Sequence, residues 1–244
     1  MRLIWIILVF WQPLFAQSVF NKGATLTING AQFTVGQDLT NEGTIINNGN
    51  LLISGAWINN GTYELGTGQI TFNSPAPQVI NHNDQSFKRL TISGGGEKQF
   101  LANITIEDEL VMNNGQLVSQ NGARIIIQPG AIVTGGSDQS HIVGPVEIEG
   151  VGDWYFPMGN GTIFLPVTVA NVSNPAAKAV LALNELSGAG GLSGVSPIVK
   201  VSDQRYWSLL VQAGDLTGST VILPLRNEGS LTTDPSLAVV AQSP

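Results

Sequence analysis

Few residues in this chain are of types that do chemistry, and their spacing is poor for it. The densest carboxylate run is Glu107-Asp108-Glu109. Calcium takes several oxygen ligands, and glycan cleavage takes paired carboxylates or a carboxylate beside a base. On an extended strand Glu107 and Glu109 would share a face and Asp108 would oppose them. The run lies between Ile106 and Leu110, so it reads as a solvated turn joining two strands, in preference to a calcium or catalytic cluster. Glu147 and Glu149 alternate with Val146 and Ile148, the pattern of a wet strand face. In Asn81-His82-Asn83-Asp84 a His stands near a carboxylate, but neighbours on an extended chain point apart, and a polar loop is expected. A Ser-His-Asp triad assembles only in space; no Gly-x-Ser-x-Gly elbow supports one.

Gly94-Gly95-Gly96 lacks the Lys and following helix of a phosphate loop, and no dinucleotide-binding fingerprint is present. Gly135-Gly136-Ser137-Asp138 is similar to one turn of a calcium-binding nonapeptide repeat but occurs once. The absence of Cys excludes disulfides, thiolate metal sites and cysteine nucleophiles. The two His, His82 and His141, would need carboxylates to complete a zinc site. The sequence therefore points to no catalytic, cofactor-binding or metal-ligating residue, to no cofactor and to no enzyme.

Exposed Trp can stack on sugar rings. Trp154 and Trp207 begin apolar strands and read as packing residues, whereas Trp57, beside Asn59-Asn60-Gly61, is the best candidate for an exposed sugar platform. The Asn-x-Thr triplets at Asn60 and Asn160 read as turns. A formal charge of -7, with scattered Lys and Arg, argues against nucleic acid or an anionic membrane as partner.

The elements that carry these residues are β-strands. Charged residues are 11% of 244, hydrophobic residues 43%, and Gly numbers 29, so the chain has ample apolar material and many breakers. Met1-Arg2, the apolar run Leu3 to Phe10 and Ala16 have the layout of a secretory signal peptide, residues 1–16, with cleavage before Gln17. The stretch is interrupted at Gln12-Pro13, short of a membrane span, so no span is expected after cleavage. Asn41-Glu42-Gly43-Thr44 recurs as Asn59-Asn60-Gly61-Thr62, and Asn48-Gly49, Asn114-Gly115 and Asn121-Gly122 mark further turns. Between them lie Leu26–Ile28, Leu51–Ile53, Gln69–Phe72, Leu90–Ile92, Ile104–Ile106, Leu110–Met112 and Arg124–Ile127, with alternating character. Strands this short suit the rungs of a solenoid better than hairpins, and the repeat length fits one turn of a right-handed parallel β-helix over 17–140.

Beyond residue 140 longer strands are predicted: Ile142 to Glu149, Trp154 to Phe156, Thr162 to Val169, Ala179 to Asn184, Tyr206 to Gln212 and Thr220 to Leu225. Punctuated by prolines and by the loop Gly188 to Gly194, they predict an antiparallel, Ig-like β-sandwich over 141–244. The expected fold class is thus all-β, a parallel β-helix followed by a sandwich.

Several motifs recur in order: Phe87-Lys88-Arg89-Leu90-Thr91-Ile92, the Gly94–Gly96 loop, His141-Ile142-Val143-Gly144-Pro145-Val146, Trp154-Tyr155-Phe156-Pro157-Met158-Gly159, Pro166–Val169, Tyr206-Trp207-Ser208-Leu209 and Leu237–Val240. Over about 87–240 the chain resembles the large secreted surface proteins of Bacteroidetes-type bacteria. That resemblance implies a β-helical stalk, a β-sandwich and a C-terminal sorting domain read by the type IX secretion machinery. The sequence to Pro244 shows no recognisable sorting domain, so that part of the pattern is expected to be missing here. The expectation is an exported, non-enzymatic surface protein, structural or adhesive, with surface glycans or other cell-surface components as partners. The alternative is a polysaccharide-active β-helix enzyme or carbohydrate-binding module.

Overall fold

The structure, a computed structural model, describes residues 17–185 and 204–226. The signal-like segment 1–16, the Gly188–Gly194 loop and the Leu237–Val240 strand lie outside these residues. The described residues contain no helix, and so none long and apolar enough to cross a membrane.

Two parallel sheets run along the first part of the molecule. One holds β1 (Val19–Asn21), β3 (Leu39–Asn41), β5 (Trp57–Asn59), β8 (Gln78–Asn81), β10 (Lys98–Phe100), β12 (Leu117–Ser119) and β15 (Ile142–Val143), each bonded to the next. The other holds β2 (Thr25–Val35), β4 (Thr44–Ile53), β7 (Gln69–Phe72), β9 (Ser86–Ile92), β11 (Ile104–Met112), β13 (Ile125–Ile127) and β16 (Val146–Glu149). β6 (Thr62–Glu64) pairs with β4, and β14 (Ile132–Gly135) pairs with β11. The chain passes between the sheets once per coil and builds a parallel β-solenoid of about six turns. One column of the first sheet reads Val19, Leu39, Trp57, Ile80, Phe100, Ser119. Coils of unequal length explain why the repeat is visible only in its first copies.

The alternation in the sequence is the alternation of the strands. In β3, β5 and β10 the outer two residues are buried and the middle one is not, and β7, β9 and β11 continue the pattern. Ile45, Ile53, Trp57, Ile70, Phe72, Leu90 and Phe100 have no exposed surface and join one core with the strands that follow. The seven segments expected here all fall in strands, with Ile104–Ile106 and Leu110–Met112 joined in the single strand β11 and Arg124 just outside β13.

The Asn-Gly markers do more than turn the chain. At Gly61 a Cβ would lie 2.1 Å from the carbonyl oxygen of Gly43, and at Gly43 it would lie 2.3 Å from that of Ala24. The glycine there is required because successive corners stack backbone on backbone. Asn48-Gly49 falls inside β4, beside a register shift, instead of ending the strand. Such irregularities make β2 and β4 long, eleven and ten residues, where short strands were expected.

Glu107-Asp108-Glu109 is likewise a correction. It lies within β11, at a bulge where the register against β9 shifts between Ile106 and Glu109. The bulge lets the strand carry the polar run outward without breaking, and Asp108 meets Lys88 at 2.7 Å.

After residue 140 the expected strand Ile142 to Glu149 is two strands, β15 and β16, broken at Gly144-Pro145. Gly144 has φ 143°, and a Cβ there would lie 2.3 Å from Cβ of Ser119, so this is one more solenoid corner. Parallel pairing therefore runs on to Ile148. Antiparallel pairing then takes over. β19 (Lys178–Glu185) adds to β16 and β20 (Arg205–Ala213) adds to β19. β17 (Gly152–Phe156), β18 (Val167–Val172) and β21 (Thr220–Ile222) form a separate three-stranded sheet. The strand expected from Thr162 begins only at Val167, because Thr162 and Ile163 bond through their amides to the side chain of Asn160 in a turn.

Candidate functional site

The polar residues with the most structure around them point inward. Asn21, Asn41 and Asn59 hold the same place in β1, β3 and β5 and form a ladder. Asn21 donates to Asn41 at 2.7 Å and Asn41 to Asn59 at 2.7 Å. Asn41 also donates to the carbonyls of Gly43 and Thr62 and accepts from the Gly43 amide. Burial of an amide side chain is costly unless every such group is bonded. Stacking supplies the partners.

His82 continues the ladder. Contrary to the polar loop expected from sequence, its ring is fully buried. The indole N–H of Trp57 donates to Nδ1 at 3.0 Å, and an indole can only donate, so Nδ1 is the unprotonated nitrogen. Nε2–H then donates to the Ser86 carbonyl at 3.1 Å. The ring stacks on Phe87 at 3.8 Å and meets the edge of Tyr63. Burial pulls the His82 pKa down to about 4, against the Ser86 bond, and pushes Tyr63 up to about 12. A neutral imidazole sealed among three aromatic rings neither relays protons nor reaches substrate. Trp57, expected to be the exposed sugar platform, is wholly buried in this cluster, because its alternation with Asn59 places both side chains inside.

A second interior pair occupies a corner. Gln78 and its register partner Lys98 are both buried. Gln78 donates to the carbonyls of Ile53 and Gly55, and Lys98 to those of Ser74 and Gly96 at 2.7 and 2.9 Å. Burial lowers the Lys98 pKa to about 8. Neither residue stood out in the sequence, although Lys98-x-Phe100 has the inward alternation of its neighbours.

A polar groove of about 570 Å³ on the exterior is lined among others by Asp84, Leu101, Asn103, Asn121, Arg124 and Glu147. Asp84 accepts from the Asn103 amide and Asn103 from the Arg124 amide, a coil-to-coil ladder on the outer surface. Glu147, expected on a wet face, is 4% exposed. Arg124 holds one of its oxygens at 3.0 Å and Lys178 the other at 2.6 Å, and Lys178 also reaches Glu149 at 3.5 Å. The antiparallel strand β19 brings Lys178 there, a pairing that local sequence could not reveal. With both oxygens ion-paired, Glu147 is an anchor between the solenoid and β19. The groove offers hydrogen-bonding groups, chiefly from Asn103, Asn121 and Arg124, to a polyhydroxylated ligand.

The remaining candidates are dispersed. His141 is buried, donating to the Ser137 carbonyl through Nδ1 and accepting the Gly161 amide at Nε2. Burial lowers its pKa. Asp138 takes a two-pronged ion pair from Arg226 and the Phe164 amide, contacts that hold its pKa down at about 2. Gly94, Gly95 and Gly96 form a turn at a stacked corner, where Cβ atoms on Gly94 and Gly96 would strike the backbone at Asn73 and Ala76. Asn60 is exposed, and Asn160 caps its own turn. Trp154 is buried in the core and donates to the Gly150 carbonyl, and Trp207 packs half-buried against the core. Among the described residues no three His, Asp or Glu gather closely enough to hold a metal ion. No family model, no curated protein and no solved structure matches the chain.

Proposed function

We propose that this is an exported, non-enzymatic structural or adhesive protein of the cell surface, displayed on a β-solenoid stalk. The observation that carries the reading is where the buried polar groups go. Asn21, Asn41, Asn59, Gln78, His82 and Lys98 are spent on joining one coil to the next, and none of them faces a ligand cavity. A stack of coils sharing one core suits a rod that spans distance, because each coil is stabilised by its neighbours. The outward row of the second sheet is rich in Thr, Asn and Gln in its first coils, as at Thr27, Thr44, Asn50 and Thr71, whereas that of the first sheet mixes Thr40 and Gln99 with Ile58 and Val79. Such rows suit weak, repeated contacts with glycans or other surface components. The signal-like segment 1–16 and the resemblance to Bacteroidetes-type surface proteins support an extracellular place and export through the type IX machinery.

The test is adhesion of the secreted chain to cells and to immobilised polysaccharides. Binding is expected to depend on the intact solenoid. Binding that survives its removal, with the remainder folded, would overturn the reading.

A second reading, action on polysaccharide, is favoured only by the groove over Asp84, Arg124 and Glu147. Acidic and neutral polysaccharides, with and without calcium, should release no new reducing ends or unsaturated products. Turnover abolished by Asp84→Asn in a folded variant, or by Glu107→Ala with Glu109→Ala, would favour the enzyme.

A further inference from the structure

The large parallel sheet splits at its last coil. β14 follows β13 after a short turn, and β17 follows β16 in the same way. Continued stacking would lay β17 on β14. Instead β14 bonds to β11 and β17 bonds to β18, and each keeps its other edge unpaired among the described residues. Gly150 at φ 93° and Gly152 at φ 110° redirect the chain here, and the β17 register shifts between Gly152 and Trp154. What remains is a cleft of about 280 Å³ between the two strands. Ile127, Ile148 and Trp154 line its depth, and Ile132 and Val151, each 60% exposed, stand at its mouth. The Tyr155 hydroxyl reaches across to the Gly135 carbonyl at 3.4 Å.

Unpaired strand edges are templates for another strand, and natural proteins blunt them with Lys, Pro or cover. β14 and β17 carry neither Lys nor Pro. Among the described residues the only charged ones lining the cleft are Glu149 and Asp153. Glu149 pairs with Lys178 at 3.5 Å, whereas Asp153, one oxygen of which accepts the Asn171 amide, has no cation beside it among the described residues, so Asp153 makes that side of the rim acidic.

We propose that this cleft takes an extended peptide strand, with apolar side chains at alternate positions and a basic residue flanking them. Its backbone would bond to the free edges, its apolar side chains would cover Ile132 and Val151, and its cation would face Asp153. This is a peptide-docking site separate from the adhesive outer rows of the coils.

The probe is a blocked heptapeptide, Lys-Val-Thr-Val-Thr-Val-Lys, titrated into the full chain with amide exchange followed by NMR. Saturation is expected to slow exchange of the Val133 and Gly135 amides, which face the open edge of β14, at least tenfold. Replacing the central residue of the peptide by Pro, or its Lys by Glu, should weaken binding at least tenfold. The double variant Ile132→Lys, Val151→Lys should do the same, with its circular dichroism unchanged because both positions are exposed. No binding, equal binding of the Pro peptide, or equal binding by a folded double variant would each overturn the proposal. So would protection of the Val133 and Gly135 amides in the free chain, which alternate with the β11-bonded Gly136 amide and face the open edge, since it would mean that the chain's own segment or a second copy already fills the cleft.

Discussion

The stacked coils and the antiparallel end solve the same problem in different ways. In the coils each buried polar side chain finds its partner at the equivalent place one coil away, as Asn21 finds Asn41 and Asn41 finds Asn59. Most inward positions there are sealed completely, Phe72 and Leu90 among them. At the antiparallel end the partners come from distant strands. Lys178 of β19 neutralises Glu147, and Arg226 holds Asp138 in a solenoid loop. The sealing is also poorer: Leu210 is 63% and Ile222 55% exposed, and the buried indole N–H of Trp207 has no partner among the described residues. Repetition lets one local solution serve many coils. Where it stops, edges and apolar side chains are left over, and those are the places from which a partner could be held.

The largest effect should come from breaking the ladder in its middle. Asn41→Ala strands the side chain of Asn21, the acceptor of Asn59 and several backbone groups, and should cost about 4 kcal/mol in urea unfolding. Asn60→Ala, one turn residue away and exposed, should change stability by less than about 0.5 kcal/mol. Equal costs for the two would remove the distinction between ladder and turn asparagines.

Acid probes the same interior. The folded His82 pKa of about 4 lies below the usual 6.5, so between those values the unfolded chain binds more protons. Stability from this group is complete above about pH 6.5 and declines as pH falls toward 4. His141 is shifted the same way, and adds to the loss. His82→Asn, which extends the asparagine ladder, should flatten much of this decline while lowering stability at pH 7 by about 1–2 kcal/mol for the lost aromatic stack. An unchanged pH profile in a folded His82→Asn protein would contradict the neutral, buried ring.

The smallest effect belongs to the other region. Leu210→Ser, at an exposed site on β20, should shift the midpoint by less than about 0.5 kcal/mol. A large loss would mean that this face is covered.

Much of the solenoid was legible because its signal is local. The paired Asn-x-Gly-Thr motifs gave the stacked corners, and period-two alternation gave the strands of the second sheet from Leu26 to Ile127. The three- and four-residue strands of the first sheet, such as Leu39–Asn41 and Lys98–Phe100, were too short and too polar to stand out. The inward role of those asparagines and of His82 was not legible, because polar side chains are assigned to solvent unless a partner is known, and the partner sits one coil away. Lys98 was hidden for the same reason. The Glu107–Glu109 run was misplaced because a bulge admits polar residues into a strand without ending it. The Glu147 anchor depends on Lys178, contributed by a strand that returns antiparallel, and no short-range pattern announces that pairing.

Native-state hydrogen exchange across the whole chain tests the central distinction most directly. Amides of β3, β5, β8 and β10 should exchange only through cooperative unfolding of the stack, with one shared free energy, while β20 and β21 open at distinctly lower cost. Equal protection in the two regions, or independent opening of single coils in the middle of the stack, would contradict the account.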